Sequence, residues 1–474
     1  MKCILSVGID IGTSTTQVIF SQLGMDNTSS FFTVPKISIV SKEIIYKGDI
    51  YTTPLRTSVM IDGEAVREIV AAEYKKAGFT PSEVDTGAVI ITGESARKEN
   101  SEEVLRYLSS FAGEFVVSTA GPDMESVIAG KGSGAAQYSS DESCAVVNLD
   151  IGGGTTNVAV FDDGESVSVG CLDIGGRLIR FDNNNVITYI SESAAIAARE
   201  AGVSVSVGDT AVVSDLEKIC DVYAEALKQF LGVTENNGLC DKFRTPGSSD
   251  FVVNKRLRAV CFSGGVADFI YGSERDKLKF QDIGVLLGEA IVRSGLCSPF
   301  KLIGAAETIR ATVIGAGTYT TSVSGSTIDY SEGLFPLKNI PVFKLSDEEQ
   351  SRCFSGDDRF LAERFSWYLS QNDCRNAVLA MDGQTNPSYM AVKTLAKTIA
   401  RALTTVLPQG EAIMIVLRHD MAKILGRLLR EEVKDRPVVS IDSVIVQQGD
   451  YIDMGKPLME GMVIPVIVKT LIFG

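Results

Sequence analysis

The chain has 474 residues, 45% of them apolar and 22% charged, with 45 basic against 60 acidic side chains and a net charge of −15. That length suits about three domains, each with its own core, and the acidic balance argues against a dedicated nucleic-acid groove. No run approaches the ~18 apolar residues of a membrane span.

The N-terminus carries one Lys and reaches Asp10 at once, so it reads as a strand rather than a signal peptide. Nine Cys are scattered at 3, 144, 171, 220, 240, 261, 297, 353 and 374 with no Cys-x-x-Cys, which reads as reduced thiols in a cytosol. One His, His419, excludes a multi-histidine metal site and argues against a Ser-His-Asp triad.

In chain order, residues 3–9 form a short apolar run ending in Asp10, followed by Ile11-Gly12-Thr13-Ser14-Thr15-Thr16 and a second apolar run at 18–20. This predicts a buried strand, a tight turn and a returning strand. Gly lets the main chain approach a phosphate, and backbone N–H groups and hydroxyls can cradle it. Asp10 beside such a turn suits a Mg²⁺ held partly through water. Residues 32–51 alternate strand-like runs with polar breaks, 62–77 repeat apolar residues at helical spacing up to Gly78, and 89–94 read as a strand leaving into a loop. A helix over 98–111 and a strand over 114–118 follow.

Pro122, Asp123 and Glu125 then open a stretch rich in small residues, at 129, 130, 132 and 134–136. Each Gly costs a helix about 1 kcal/mol against Ala. The composition therefore points either to a helix packed closely on a neighbour or to a flexible loop.

The first hairpin is echoed at Asn148-Leu149-Asp150-Ile151-Gly152-Gly153-Gly154-Thr155-Thr156. Two Asp-Ile-Gly hairpins a domain length apart predict two related lobes, each offering one hairpin to the same polyphosphate. A strand over 166–171, a turn at 173–177, helices over 192–201 and 214–231 and a polar surface loop over 233–250 come next. A third strand, 259–263, ends in Gly264-Gly265, where the main chain can lie against a purine or an α-phosphate. Residues 302–317 predict a second small-residue helix, to cross the first between the lobes. Residues 336–341 read as a boundary, and beyond them strands (377–381, 412–417, 438–446, 463–473) alternate with helices (388–407, 421–432) as a separate α/β domain for docking or regulation. Residues 450–457 read as a plain turn.

The two Asp-Gly-Thr hairpins and the Ser-Gly-Gly turn resemble the phosphate-1, phosphate-2 and adenosine motifs of the actin, DnaK-chaperone and sugar-kinase superfamily, and the small-residue stretches resemble its two connecting helices. The runs at 92–100, 128–135 and 310–318 resemble, more specifically, the ethanolamine ammonia-lyase reactivating factors, the EutA family. The resemblance implies an α/β fold: two actin-like, ribonuclease H-like lobes (1–143 and 144–335) around a nucleotide cleft, plus a small C-terminal α/β domain (336–474).

It also implies a slow ATPase working as a chaperone for a coenzyme-B12-dependent lyase. Lobe closure would loosen ethanolamine ammonia-lyase, release damaged cobalamin and admit intact coenzyme, so that cobalamin is met through the lyase. ATP and Mg²⁺ are the implied cofactors, with no nucleic-acid or membrane partner. The setting is cytoplasmic, free or inside a bacterial microcompartment.

Asp10 and Asp150 would hold Mg²⁺ through water. Gly12, Thr13, Ser14 and Thr15 would cradle one side of the β- and γ-phosphates and Gly152, Gly153, Gly154, Thr155 and Thr156 the other, while Gly264 and Gly265 flank adenosine. Asp150 is the first candidate to orient the attacking water and Glu125 the second. A small-molecule kinase of the same superfamily, with a base for a sugar or polyol hydroxyl, is the alternative; a filament-forming protein of the actin type is the third reading.

Overall fold

The structure is a computed structural model and describes residues 2–28, 37–57, 60–112, 116–119, 122–252, 255–272, 274, 276–319, 322–325, 327–372, 374–458 and 460–470. The chain groups into two compact units, one of Ser6–Ser21 with Ile44–Tyr319, the other of Met1–Leu5 with Gln22–Glu43 and Thr320–Phe473.

Two sheets share one plan. The first runs Ile37–Lys47, Thr15–Asn27, Lys2–Ile11, Thr86–Ile91, Val116–Thr119, and the second Glu165–Leu172, Thr156–Asp162, Val146–Ile151, Ala259–Ser263, Lys301–Leu302. In both, the strands stand third, second, first, fourth and fifth in chain order, and from the first strand onward the pairing is parallel. The duplicated order is what two related lobes require. The central strands are closed to water on both faces, which is why Val146–Ile151 and Thr86–Ile91 are buried at every position. The turn leaving each first strand is closed by the same bond: Gly12 N–H donates to Thr15 O (2.8 Å) and Gly152 N–H to Thr155 O (2.9 Å).

The small-residue stretches meet as two helices, Pro122–Gly132 and Ala311–Tyr319. A Cβ on Gly132 would overlap the carbonyl of Ala311, and one on Gly315 the carbonyl of Ile128, so the two backbones touch where the helices cross. Of the two readings left open by composition, close packing holds. The first helix stops earlier than its small residues do: Gly134, at φ +86°, breaks it and starts a short helix at Ala135–Asp141.

The second unit carries an eight-stranded sheet whose middle strands, Leu337–Lys344, Val378–Met381, Ile413–Leu417 and Val438–Ile441, are parallel neighbours. Helices Asp347–Phe354, Asp358–Gln371, Tyr389–Val406 and Ala422–Glu432 cover one face through a core that includes Phe343, Phe365, Leu395 and Leu425. The other face is closed by Ile452, Met454, Ile464 and Val466.

Several sequence expectations change. Residues 302–317 are not one helix: 303–310 are irregular because their main chain is committed elsewhere, Ala306 N–H to Ser133 O and Thr308 O to the N–H of Gly264. The stretch 233–250 is not simply a surface loop. It contains the turn Cys240–Phe243, whose Cys and Phe are buried, with Phe243 edge-on to Tyr223 at 5.3 Å. Residues 450–454 are a strand, Asp450–Met454, not a turn, and the expected boundary at 336–341 runs into a strand, Leu337–Lys344. No element is expected from sequence over 347–371, where the structure has two helices: 347–354 is strongly polar, and 358–371 buries Leu361, Phe365, Tyr368 and Leu369. The first residues (32–36) of the alternating stretch 32–51 and the last residues of the expected strand 463–473 lie outside the described residues.

Gly315→Ala is expected to cost about 1–3 kcal/mol through forced backbone displacement. Gly304→Ala, where nothing stands within 4 Å of the added carbon, should cost far less. Urea denaturation of both variants checks this, and equal midpoints would contradict the crossing.

Candidate active site

The parallel strands of each sheet end at a common edge, and there the two turns face each other. A Cβ on Gly153 would stand 2.6 Å from Ser14 Oγ, and one on Gly93 would overlap Thr13 Oγ1 and lie 3.6 Å from Thr155 Oγ1. Between them lies a cavity of about 350 Å³, within the ~300–1,000 Å³ of small-molecule sites. It is lined by Asp10, Gly12, Thr13, Ser14, Thr15, Glu125, Asp150, Gly152, Gly153, Gly154, Thr155, Gly264 and Gly265. Of the residues singled out in sequence, Thr156 alone is absent from the lining: it is fully buried and its hydroxyl donates to Ile174 O at 2.8 Å.

Asp10 closes its strand at 7% exposure and accepts from Thr92 Oγ1 at 2.9 Å. Burial lifts its pKa from 3.8 to about 7; the Thr92 hydroxyl opposes the rise and the Asp150 charge adds to it. Asp150, 5% exposed, is lifted to about 6 by burial, against hydroxyls from Ser263 (2.6 Å) and Thr312 (3.3 Å). Glu125, in the first turn of its helix, faces both: burial first, then the charges of Asp150 and Asp10, push its carboxyl well above the ordinary value. Gly93 N–H (3.4 Å) and the Asn157 side chain donate to it.

The third motif lines the same cavity. Gly264 holds φ +81°, its N–H donates to Thr308 O at 3.0 Å, and a Cβ there would overlap the Ile151 carbonyl, so any side chain is excluded. Beside it Phe269, Phe280 and Ile309 make the apolar end of the cavity, with the two rings 5.4 Å apart and Phe280 47% exposed.

Sequence reading missed Gln17, Thr92, Ser263, Arg177, Asp282, Phe280 and Thr312 as lining or supporting groups. Gln17 and Thr92 carried a usable signal, since Gln17 directly precedes the returning run 18–20 and Thr92 lies where the expected strand at 89–94 leaves into a loop. Arg177 followed a Gly-Gly turn without any reason to prefer it. Phe280 and Thr312 reach the cavity from segments distant in sequence, and nothing local marks them.

A family model described as ethanolamine utilisation protein EutA matches residues 2–474. The chain belongs to that family. Two relatives, each described as ethanolamine ammonia-lyase reactivase EutA, are similar over 99% of this chain and 98% of their own lengths: one from Salmonella typhimurium at 35% identity, one from Escherichia coli K12 at 36%. No helix among the described residues is long and apolar enough to cross a membrane.

The raised carboxylate at Asp10 has a consequence for metal-free protein. Between its ordinary value of 3.8 and about 7 the folded chain keeps a proton that the unfolded chain gives up, so stability falls as pH rises through that window. Asp10→Asn is therefore expected to raise the thermal midpoint in EDTA by a few degrees at about pH 8, with a smaller gain at about pH 5. Thermal melts at the two pH values check it; a loss at pH 8 would contradict it.

Proposed function

We propose that the chain is an ATP-driven reactivase of ethanolamine ammonia-lyase, which uses nucleotide-dependent movement of its two lobes to exchange damaged cobalamin on the lyase for intact coenzyme. The observation that carries the ATP reading is the pair of glycine-hydroxyl turns, each closed by the same Gly-to-Thr bond, facing one cavity across Asp10 and Asp150. The lyase as partner rests on family membership and on what the two relatives are described as doing.

The donor set fits Mg²⁺. Asp10 and Asp150 are buried, Asp150 raises the proton affinity of Asp10 and both raise that of Glu125, and among the described residues no cation is hydrogen-bonded to either. Among the described residues no cluster of three or more His, Cys, Asp or Glu could hold a metal alone, and a pair of carboxylates is what Mg²⁺ uses when it keeps its waters. When bound, Mg²⁺ supplies charge neutralisation to phosphate oxygens.

The chain's own groups then divide the work. Gly12, Thr13, Ser14 and Thr15 bind the β- and γ-phosphates from one side and Gly152, Gly153, Gly154 and Thr155 from the other; Gly264 and Gly265 lie against adenosine. Both oxygens of Asp150 already accept hydroxyls, from Ser263 and Thr312, which suits a fixed metal-holding carboxylate. Glu125 lines the cavity from a helix start and among the described residues accepts no side-chain hydroxyl, only Gly93 N–H at 3.4 Å and the Asn157 side chain, so it rather than Asp150 orients the water that attacks the γ-phosphorus. The hinge is the crossing of Pro122–Gly132 and Ala311–Tyr319, where bare backbones can pivot without interlocked side chains.

Asp10→Ala and Asp150→Ala are expected to reduce ATP turnover by about 10²-fold or more. Glu125→Gln should lower it about 10²-fold with ATP affinity retained. Steady-state hydrolysis and equilibrium binding separate the two classes; wild-type turnover in Asp10→Ala and Asp150→Ala together would remove the site.

The reactivation itself is tested by mixing the protein with ATP, Mg²⁺, adenosylcobalamin and cyanocobalamin-inactivated ethanolamine ammonia-lyase. Lyase activity should return only with ATP present. No recovery, with ATP binding verified, would leave the cleft and discard the role.

A further inference from the structure

The cavity is acidic. Asp10, Glu125, Asp150, Asp268 and Asp282 line it, and among the described residues Arg177 is its one cationic side chain. A polyphosphate entering such a site needs a positive group beyond the metal, and Arg177 is mounted to supply it.

Two backbone bonds fix its Gly176-Arg177 turn to the second hairpin: Gly176 N–H to Gly152 O at 2.9 Å and Arg177 N–H to Gly153 O at 2.7 Å. The aliphatic stem lies over Gly153, with Cγ and Cδ each 3.5 Å from where a Cβ would stand, at the seam where Ser14 of the first hairpin also meets that glycine. At the apolar end of the cavity Gly284 meets the Phe269 ring, 3.4 Å from an added Cβ, and the guanidinium reaches the adjacent Asp282. There its Nε lies 3.7 Å from Asp282 Oδ2, too long for a hydrogen bond, and is buried with no hydrogen-bond partner. Asp282 is itself only loosely claimed by the arginine: its other oxygen accepts from Gly284 N–H at 2.9 Å. A buried guanidinium N–H without a partner, on a rigid turn over the phosphate seam, is a donor held ready for an anion.

We propose that Arg177 is a nucleotide-binding residue that grips the α- and β-phosphates of a nucleoside di- or triphosphate, with Asp282 holding the side chain when they are absent. The assignment rests on the nucleotide reading of the cleft and adds a specificity element to it. Arg177 separates nucleotides carrying a diphosphate from the bare nucleoside, and it does so equally for ATP and ADP because both carry the same two phosphates. The chain therefore keeps hold of ADP through Arg177 after hydrolysis, and this side chain does not distinguish ATP from ADP.

The test is equilibrium binding of ATP, ADP and adenosine, with Mg²⁺, to wild type, Arg177→Gln and Arg177→Lys. Arg177→Gln is expected to weaken ATP and ADP alike by about 10- to 100-fold, as loss of a charge-assisted hydrogen bond does. Adenosine should bind unchanged, which also reports that the variant is folded. Arg177→Lys should recover part of the loss, since it keeps the charge and not the fork.

Equal weakening of adenosine and ADP would make Arg177 a structural prop and overturn the assignment. So would a loss confined to ATP, or no loss at all in a protein whose wild type binds ADP. A wild type that binds neither ADP nor ATP would overturn the nucleotide reading and this assignment with it.

Discussion

Two carboxylates that would repel if both were ionised stand near the ends of equivalent strands, and among the described residues no side-chain cation is hydrogen-bonded to either. Asp10 and Asp150 are buried because the strands carrying them are central in their sheets, and they share one cavity because the two turns face each other. Burial lifts both toward neutrality, and Asp150 lifts Asp10 further. A cation relieves that cost; so does a proton. Most of the surroundings follow from this tension: hydroxyls from Thr92, Ser263 and Thr312 satisfy the oxygens without neutralising them, leaving the charge for whatever enters between the turns.

The crossing of the two small-residue helices sets how close the turns come. Gly132 against Ala311 and Gly315 against Ile128 put main chain on main chain, and Gly8 of the first strand lies just as close to Val313 and Gly317. A contact made of backbone has little side-chain interdigitation to break when it pivots. The same helices carry cavity groups, Glu125 on one and Thr312 on the other, so a pivot there is felt by the cavity directly. Residues 303–310 add a second tie. Their irregular main chain reaches the Gly264-Gly265 turn through Thr308 and the first hairpin's outgoing strand through Ile309 O, which accepts from Gln17 Nε2 at 3.2 Å.

The cleft was legible in sequence because its physics is local. A strand ending in Asp, a turn that needs Gly and a row of hydroxyls can be read from about ten residues, and repetition of the pattern announced the duplication. The helix capped by Asp62 and closed at Gly78 was legible for the same reason. What failed was decided at a distance. Residues 303–310 look helical by composition, yet Gly264 and Ser133 claim their hydrogen bonds. Residues 240–243 look like surface loop, yet Tyr223 offers Phe243 a ring to pack on. Arg177 is one of many arginines until its neighbours across the fold are known. Thr156 erred the other way: it belongs to the motif by position, but strand alternation turns its side chain into the core.

The claim that two opposed turns hold one polyphosphate is met most directly by a structure of the full chain with Mg²⁺ and a non-hydrolysable ATP analogue. The account predicts the β- and γ-phosphates between residues 12–15 and 152–155, touched from both sides, with the base beside Gly264 and Gly265. A nucleotide seated against one turn only, or bound elsewhere while this cavity holds solvent, would contradict it.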